Sequence, residues 1–160
     1  MNPNGATLKT LKFGYKWGDR SLISFVPVGA SEVFTNTGGK FCWFDTSRRL
    51  EVAGDGNNPD SGAFIAGWVE EGAFTASSTE GATKVTLDVS CQSVYRIPAN
   101  AAVTAAYRLK SCDLVTTSNV QYANVSTATE KYLIIVDVDI ANQCVYVHMN
   151  PAAVYITAVA

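Results

Sequence analysis

Apolar and polar positions alternate with a period of two along much of this chain. Over residues 83–89, Val85, Leu87 and Val89 fall on one side, with Lys84, Thr86 and Asp88 on the other. Residues 132–140 repeat the pattern. Ile134, Val136, Val138 and Ile140 share a face, and Asp137 and Asp139 lie opposite. Ala141-Asn142-Gln143 is then a three-residue connection to Val145, Val147 and Met149, which alternate with Tyr146 and His148. That is a β-hairpin. Further strands are expected over 22–28, 32–35, 40–44, 63–70, 93–97, 111–116 and 121–125. Turn residues separate them: Asn36-Thr37-Gly38-Gly39, the long run from Gly54 to Asp60, and Pro98-Ala99-Asn100. No window sustains a helical apolar stripe, and the best helical candidate, 100–109, is Ala-rich but short. The expected fold is all-β, a single compact β-sandwich or small β-barrel.

The two ends depart from this pattern. The first twenty residues carry Lys9, Lys12, Lys16 and Arg20 against Asp19 alone, a net +3, which leaves −5 for the rest of a chain whose total is −2. They are expected to form an N-terminal arm (1–20) before a β domain (21–160). Phe13, Tyr15 and Trp17 alternate, so an extended arm presents an aromatic face, with Lys12 and Lys16 opposite. The competing reading is that 11–17 is the first strand of the domain's own sheet. At the other end, Ala152 to Ala160 reads AAVYITAVA, apolar throughout. Exposed, such a strand invites aggregation, so it must be paired within the domain or against a neighbouring subunit, and Val154, Tyr155 and Ile156 are the residues expected at such a subunit contact.

Composition narrows the function. Only 16% of the 160 residues are charged, against roughly 25% in ordinary globular domains. This low charge fits secretion, a β-sandwich with many Ser/Thr positions, or a surface hidden in an assembly, and the net charge draws the chain to neither nucleic acid nor membrane. No segment has the ~18 apolar residues of a membrane span. MNPNGATLKT lacks the apolar stretch of a signal peptide, so synthesis in a reducing cytoplasm is expected. There Cys42, Cys91, Cys112 and Cys144, with no C-x-x-C spacing, are expected to be structural thiols, a disulfide pair formed after release from the cell being the alternative.

Catalytic chemistry finds little to use. His148 is the single histidine, no G-x-S-x-G elbow or phosphate-binding glycine loop is present, and no cofactor or metal is expected. Glu70 and Glu71 are adjacent and so point apart on a strand. Asp137 and Asp139 share a face, but nothing in the sequence raises either pKa. A hydrolase using Asp137, Asp139 or Glu70 is the weakest alternative. The oxygen-rich loop of Asp55, Asn57, Asn58 and Asp60 lacks EF-hand spacing and reads as a solvated turn. Trp17, Trp43 and Trp68 would serve a carbohydrate- or receptor-binding module if a pair lay exposed on one flat face. Trp43 and Trp68 sit in apolar runs and are expected in the core.

Val94-Tyr95-Arg96-Ile97-Pro98-Ala99-Asn100 is followed by Cys112-Asp113-Leu114-Val115, Gln121-Tyr122-Ala123, residues 133–139 and Val145-Tyr146-Val147-His148-Met149-Asn150-Pro151. Upstream stand Phe25-Val26-Pro27-Val28-Gly29 and Gly67-Trp68-Val69-Glu70. This order resembles the small capsid decoration, or cement, proteins of tailed phages. The resemblance covers the C-terminal half best and implies a compact β protein without catalytic residues. It implies a homo-oligomer, most often a trimer, seated on the virion surface where copies of the major capsid protein meet. Contact with that partner is expected through Lys9, Lys12, Phe13, Tyr15, Lys16 and Trp17, and with sister subunits through Val154, Tyr155 and Ile156.

Overall fold

The computed structural model describes residues 13–54 and 64–154. Within them the regular structure is almost entirely strand: β1 (Gly14–Trp17), β2 (Leu22–Pro27), β3 (Val33–Phe34), β4 (Phe41–Phe44), β5 (Leu50–Val52), β6 (Gly67–Val69), β7 (Phe74–Thr75), β8 (Lys84–Asp88), β9 (Val94–Pro98), β10 (Ser111–Thr117), β11 (Val120–Asn124), β12 (Leu133–Asp139) and β13 (Cys144–Met149). The all-β expectation holds. The short β5 and β7 escaped the sequence pattern because two or three residues carry no periodicity. The helical candidate over 100–109 is reduced to one 3₁₀ turn, Ala105–Tyr107.

A six-stranded sheet runs β1-β9-β13-β12-β10-β11, a five-stranded sheet runs β2-β8-β6-β4-β5, and β3 pairs with β7. Every strand-to-strand ladder is antiparallel. Parallel bridges from Ala99 to Ala123 and from Val28 to Leu50 draw the last strand of each large sheet back toward β9 and β2. Both sheets therefore curl toward closure.

The five-stranded sheet is the middle layer, and alternation along its strands feeds two cores. Phe41, Trp43 and Trp68 point toward the six-stranded sheet and meet Tyr95, Ile97, Leu133, Ile135, Val145 and Val147. Trp68 stacks on Tyr95 at 4.3 Å, with Phe41 edge-on to both. Such aromatic pairs contribute about 0.5–1.5 kcal/mol each beyond the area they bury. From the same strands, Cys42 and Val69 point the other way, into a second core with Leu50, Leu87 and the stacked Phe34–Phe74 pair of β3 and β7. β6 is consequently buried on both faces, which is why Gly-Trp-Val contains no polar side chain.

The 132–140 pattern needs one correction. A bulge between Ile135 and Asp137 resets the alternation in β12. Leu133 and Ile135 turn into the core with Val138, while Ile134 and Val136 are half-buried and Ile140 is exposed. The hairpin connection is also longer than the three residues expected: Asp139 pairs with Cys144, leaving 140–143 as the loop, with Gln143 in the left-handed region.

Gln121 of β11 fastens the two sheets together. Its side chain is buried and bonds to Phe41 of β4 and to the carbonyl of Ala53 just past β5. The approach is close enough to require glycine: a Cβ on Gly39 would lie 2.4 Å from Gln121 Oε1.

Candidate docking edge

β1 and β2 are consecutive in the chain, yet each forms the outer edge of a different sheet. The segment expected to be a free arm is thus built into the domain from Gly14 onward, with Gly14 and Tyr15 facing Arg96 and Tyr95 of β9. The competing reading, a first strand of the domain's own sheet, describes residues 14–17. Lys9 and Lys12 lie outside the described residues, as do Tyr155, Ile156 and the Asp55–Asp60 loop.

The link between the two edges is short and heavily pinned. Gly18 adopts φ +104°, and a Cβ there would fall 1.9 Å from the Gln92 carbonyl oxygen, so only glycine permits this turn. Asp19 O accepts hydrogen bonds from Ser90 Oγ and, at 3.1 Å, Ser93 Oγ. Beneath the link lies Asp88, fully buried. Its carboxylate accepts from the Ser21 N–H at 3.1 Å, the Ser90 N–H at 3.0 Å, Ser93 Oγ at 2.7 Å and the Tyr95 hydroxyl. Arg20 Nε stands 3.4 Å away, and the same guanidinium pairs with Glu70. Burial pushes the Asp88 carboxyl up, but the hydrogen bonds from Tyr95, Ser93, Ser90 and Ser21 together outweigh it and hold the group below its ordinary range. Burial and the contact with Asp88 push the Tyr95 phenol up.

On this scaffold the edge strands expose large apolar side chains. Tyr15, Trp17, Leu22, Ile23 and Phe25, all within eleven residues, are between 37% and 80% exposed. Leu22 and Ile23 point to opposite faces of β2 and both are about half exposed, so the start of β2 is bare on both sides. Phe25 sits in a bulge between Ile23 and Val26 with φ 64°. That left-handed conformation costs a bulky residue roughly 1–3 kcal/mol and throws its ring into solvent. Leu109, 81% exposed with φ 62°, is presented in the same way beside the β12 bulge. An edge strand ordinarily protects itself with charge, yet β2 carries none.

The single aromatic face expected for Phe13, Tyr15 and Trp17 does not form. A bulge between Tyr15 and Trp17 turns Tyr15 edge-on to core-facing Tyr95, while Trp17 packs at a tilt against Tyr146 of the outer face, with ring centroids 5.5 Å apart. Phe13 lies under the Arg96 guanidinium, 5.3 Å from ring centre to Cζ. Lys16 is half-buried, and burial together with nearby Arg96 lowers its pKa.

Matches to known proteins add nothing to this geometry. No protein family, no curated protein and no solved structure matches the chain. The functional reading therefore rests on the residues themselves.

The carboxylates weighed for catalysis are each tied to a cation and do not converge. Glu70 pairs with Arg20, Asp137 Oδ1 accepts from Arg108 Nε at 2.7 Å, and Asp139 Oδ2 from Arg96 Nη2 at 3.1 Å. The Arg108 hydrogen bond holds Asp137 below its ordinary range. Burial pushes Asp139 up, but hydrogen bonds from Asn142 and Arg96 bring it below as well. An acid catalyst needs the opposite shift. A surface hollow of about 370 Å³ lined by Glu71, Phe74 and Lys84 contains none of the three. Among the described residues no cluster of three or more His, Cys, Asp and Glu side chains fits a metal ion, and no helix is long and apolar enough to cross a membrane. Trp43 and Trp68 are 2% exposed, so they form no sugar-stacking platform with Trp17.

Of the expected contact residues, the described structure brings Phe13, Tyr15, Lys16 and Trp17 to the edge of the six-stranded sheet. Val154 lies elsewhere, bridged to Ile65. Leu22, Ile23, Phe25 and Leu109 were not singled out from sequence. Alternation alone hides them, because a bulge leaves no mark in the order of apolar residues.

Proposed function

We propose that this chain is a structural virion protein that docks as a homo-oligomer on the outer surface of a tailed-phage capsid and stabilises the shell. Its partner is the major capsid protein, and it carries out no chemistry of its own. One observation carries the docking part: five large apolar side chains stand exposed on two open sheet edges, of which β2 is uncharged, and Phe25 is held out by a strained backbone. Covering half-exposed side chains of this size stabilises a complex by on the order of 1 kcal/mol each. The low overall charge agrees with surface destined for burial, and the order of features from residue 83 onward supplies the capsid as the surface. Polar rims around an apolar centre are the usual anatomy of such contacts.

Co-sedimentation tests the reading. Purified chain is mixed with shells assembled from the major capsid protein encoded beside it, and the shells are then heated. Saturable binding with a raised temperature of shell disruption is expected. A chain that stays in the supernatant, or binds without changing shell stability, overturns the proposal.

A further inference from the structure

The bonding phase of β2 fixes which of its backbone groups face outward. Ser21 O accepts from the Val89 N–H at 2.8 Å, the residue opposite it when the Leu22–Asp88 register is carried back by one. Bonding alternates along an antiparallel pair, so Ile23 also turns its amide and carbonyl toward β8, whereas Leu22 and Ser24 turn theirs away. Thr86, which follows the Ile23–Leu87 pair along β8, agrees with this phase. Its N–H goes to Glu71 Oε1 at 2.7 Å and its carbonyl accepts from the Glu70 N–H at 2.9 Å, so neither group reaches toward Ser24. The open edge therefore offers a donor and an acceptor at Leu22, and again at Ser24.

The offer stops there. The bulge at Phe25 breaks the phase, and beyond it the Val28 N–H donates inward to Thr83 O at 3.0 Å. That puts Pro27 on the outward phase, where it has no N–H to give. A long foreign strand laid along β2 finds no regular ladder past Ser24.

A second β2 fits this short edge. Turned antiparallel about Ile23, Leu22 of one copy faces Ser24 of the other, and each such pair exchanges both N–H···O bonds. Every outward group of the stretch is then used. Ile23 meets Ile23 at the non-bonded position, where Cα atoms come to about 4.5 Å and side chains are closest. Ile23 is half exposed and shares the face of its partner Leu87, so the second core of each copy continues across the contact. Phe25 of each copy comes beside Ser21 of the other, a side chain small enough to leave room for the ring. β2 has no ionisable side chain, so like meets like without repulsion.

We propose that two copies of this chain pair antiparallel through β2, with the two-fold axis at Ile23, joining their five-stranded sheets into one. The contact is isologous and consumes both β2 edges, so it closes at two copies. This inference rests on the proposed function only in taking the protein to be an oligomer; it assigns β2 to the sister subunit and leaves Tyr15 and Trp17 on β1 for the shell.

A charge swap at the axis tests it, because this register sets residue 23 opposite itself. Ile23→Lys and Ile23→Asp are made in the full chain, and circular dichroism confirms that each is folded. Sedimentation equilibrium on the unaltered chain should give a dimer. Each variant alone should associate at least about tenfold more weakly, since like charges then meet across the axis. Mixed, I23K and I23D face each other with opposite charges, and the mixed pair should form at least about tenfold more tightly than either variant with itself. A monomeric parent chain, variants that each associate as well as the parent, or a mixture that associates no better than its components overturns the inference. A monomer that co-sediments with shells, and loses them on Ile23→Lys, gives the β2 edge to the capsid protein instead and leaves the docking reading standing. A dimer that ignores shells defeats that reading and leaves this one intact.

Discussion

The side-chain amide of Gln121 makes two hydrogen bonds to the backbone of Phe41. Oε1 accepts from the Phe41 N–H at 2.9 Å, and Nε2 donates to Phe41 O at 2.8 Å and to Ala53 O at 2.8 Å. This one buried residue of the six-stranded sheet thereby supplies polar partners to the backbone of the five-stranded one. Gln121→Leu strands the Phe41 N–H at about 1–3 kcal/mol, whereas Phe41 O keeps the Ala53 N–H at 3.0 Å and Ala53 O keeps Thr116 Oγ1 at 2.9 Å. Urea denaturation should show a loss of about 1–3 kcal/mol. A loss below about 1 kcal/mol would mean that water or a shifted strand takes over these bonds.

Asp88 makes the docking edge sensitive to acid. Its folded-state pKa is depressed, so its contribution is fully present above the unfolded value of about 3.9 and is lost as pH falls through the lower folded value. The urea midpoint of the intact chain should fall in that window below pH 4. Asp88→Asn should be less stable at pH 7 and show a shallower acid decline. Equal slopes for the two chains would assign the acid transition to other carboxylates.

Phe25 separates stability from binding. Asn accepts the φ of 64° more readily than Phe, so Phe25→Asn should leave the melting temperature unchanged or raise it, relieving up to about 1–3 kcal/mol of strain. The same change should weaken self-association. A marked fall in melting temperature would show that the ring supports the fold.

Much of the fold was legible because long alternating runs have few structural solutions. Residues 83–89, 111–116 and 144–149 read as strands for that reason. What failed to show was local and geometric. The bulges in β1, β2 and β12 change which side chains face out without changing which residues are apolar. Asp88 illustrates the long-range part: alternation put it on a polar face with Lys84 and Thr86, but the link after Gly18 and Tyr95 of the other sheet close over it. Nothing near residue 88 encodes that cover. The edge at β1 was visible as an aromatic run, whereas Phe25 was visible only as one more apolar residue in a strand.

The thiols offer a check on packing. Burial pushes up the pKa of Cys42 and Cys144 and takes Cys112 up to about 12, and all three are buried, while Cys91 is half-buried and only raised. An aromatic disulfide reagent at neutral pH should label Cys91 first in the native chain. The other three should react only at the rate of global unfolding. Rapid labelling of Cys112 would show that the core between the sheets opens locally.

The central claim is that the apolar edges from Tyr15 to Phe25 are contact surface. Hydroxyl-radical footprinting read by mass spectrometry measures this side chain by side chain, on the chain at dilutions where it is dissociated and on the chain bound to shells of the neighbouring major capsid protein. Trp17, Leu22, Ile23 and Phe25 should be oxidised readily in the dissociated chain and be protected several-fold on the shell, while buried Trp43 and Trp68 stay unreactive in both. Shell-bound chain in which Trp17, Leu22, Ile23 and Phe25 are oxidised as fast as in the free chain would contradict the account.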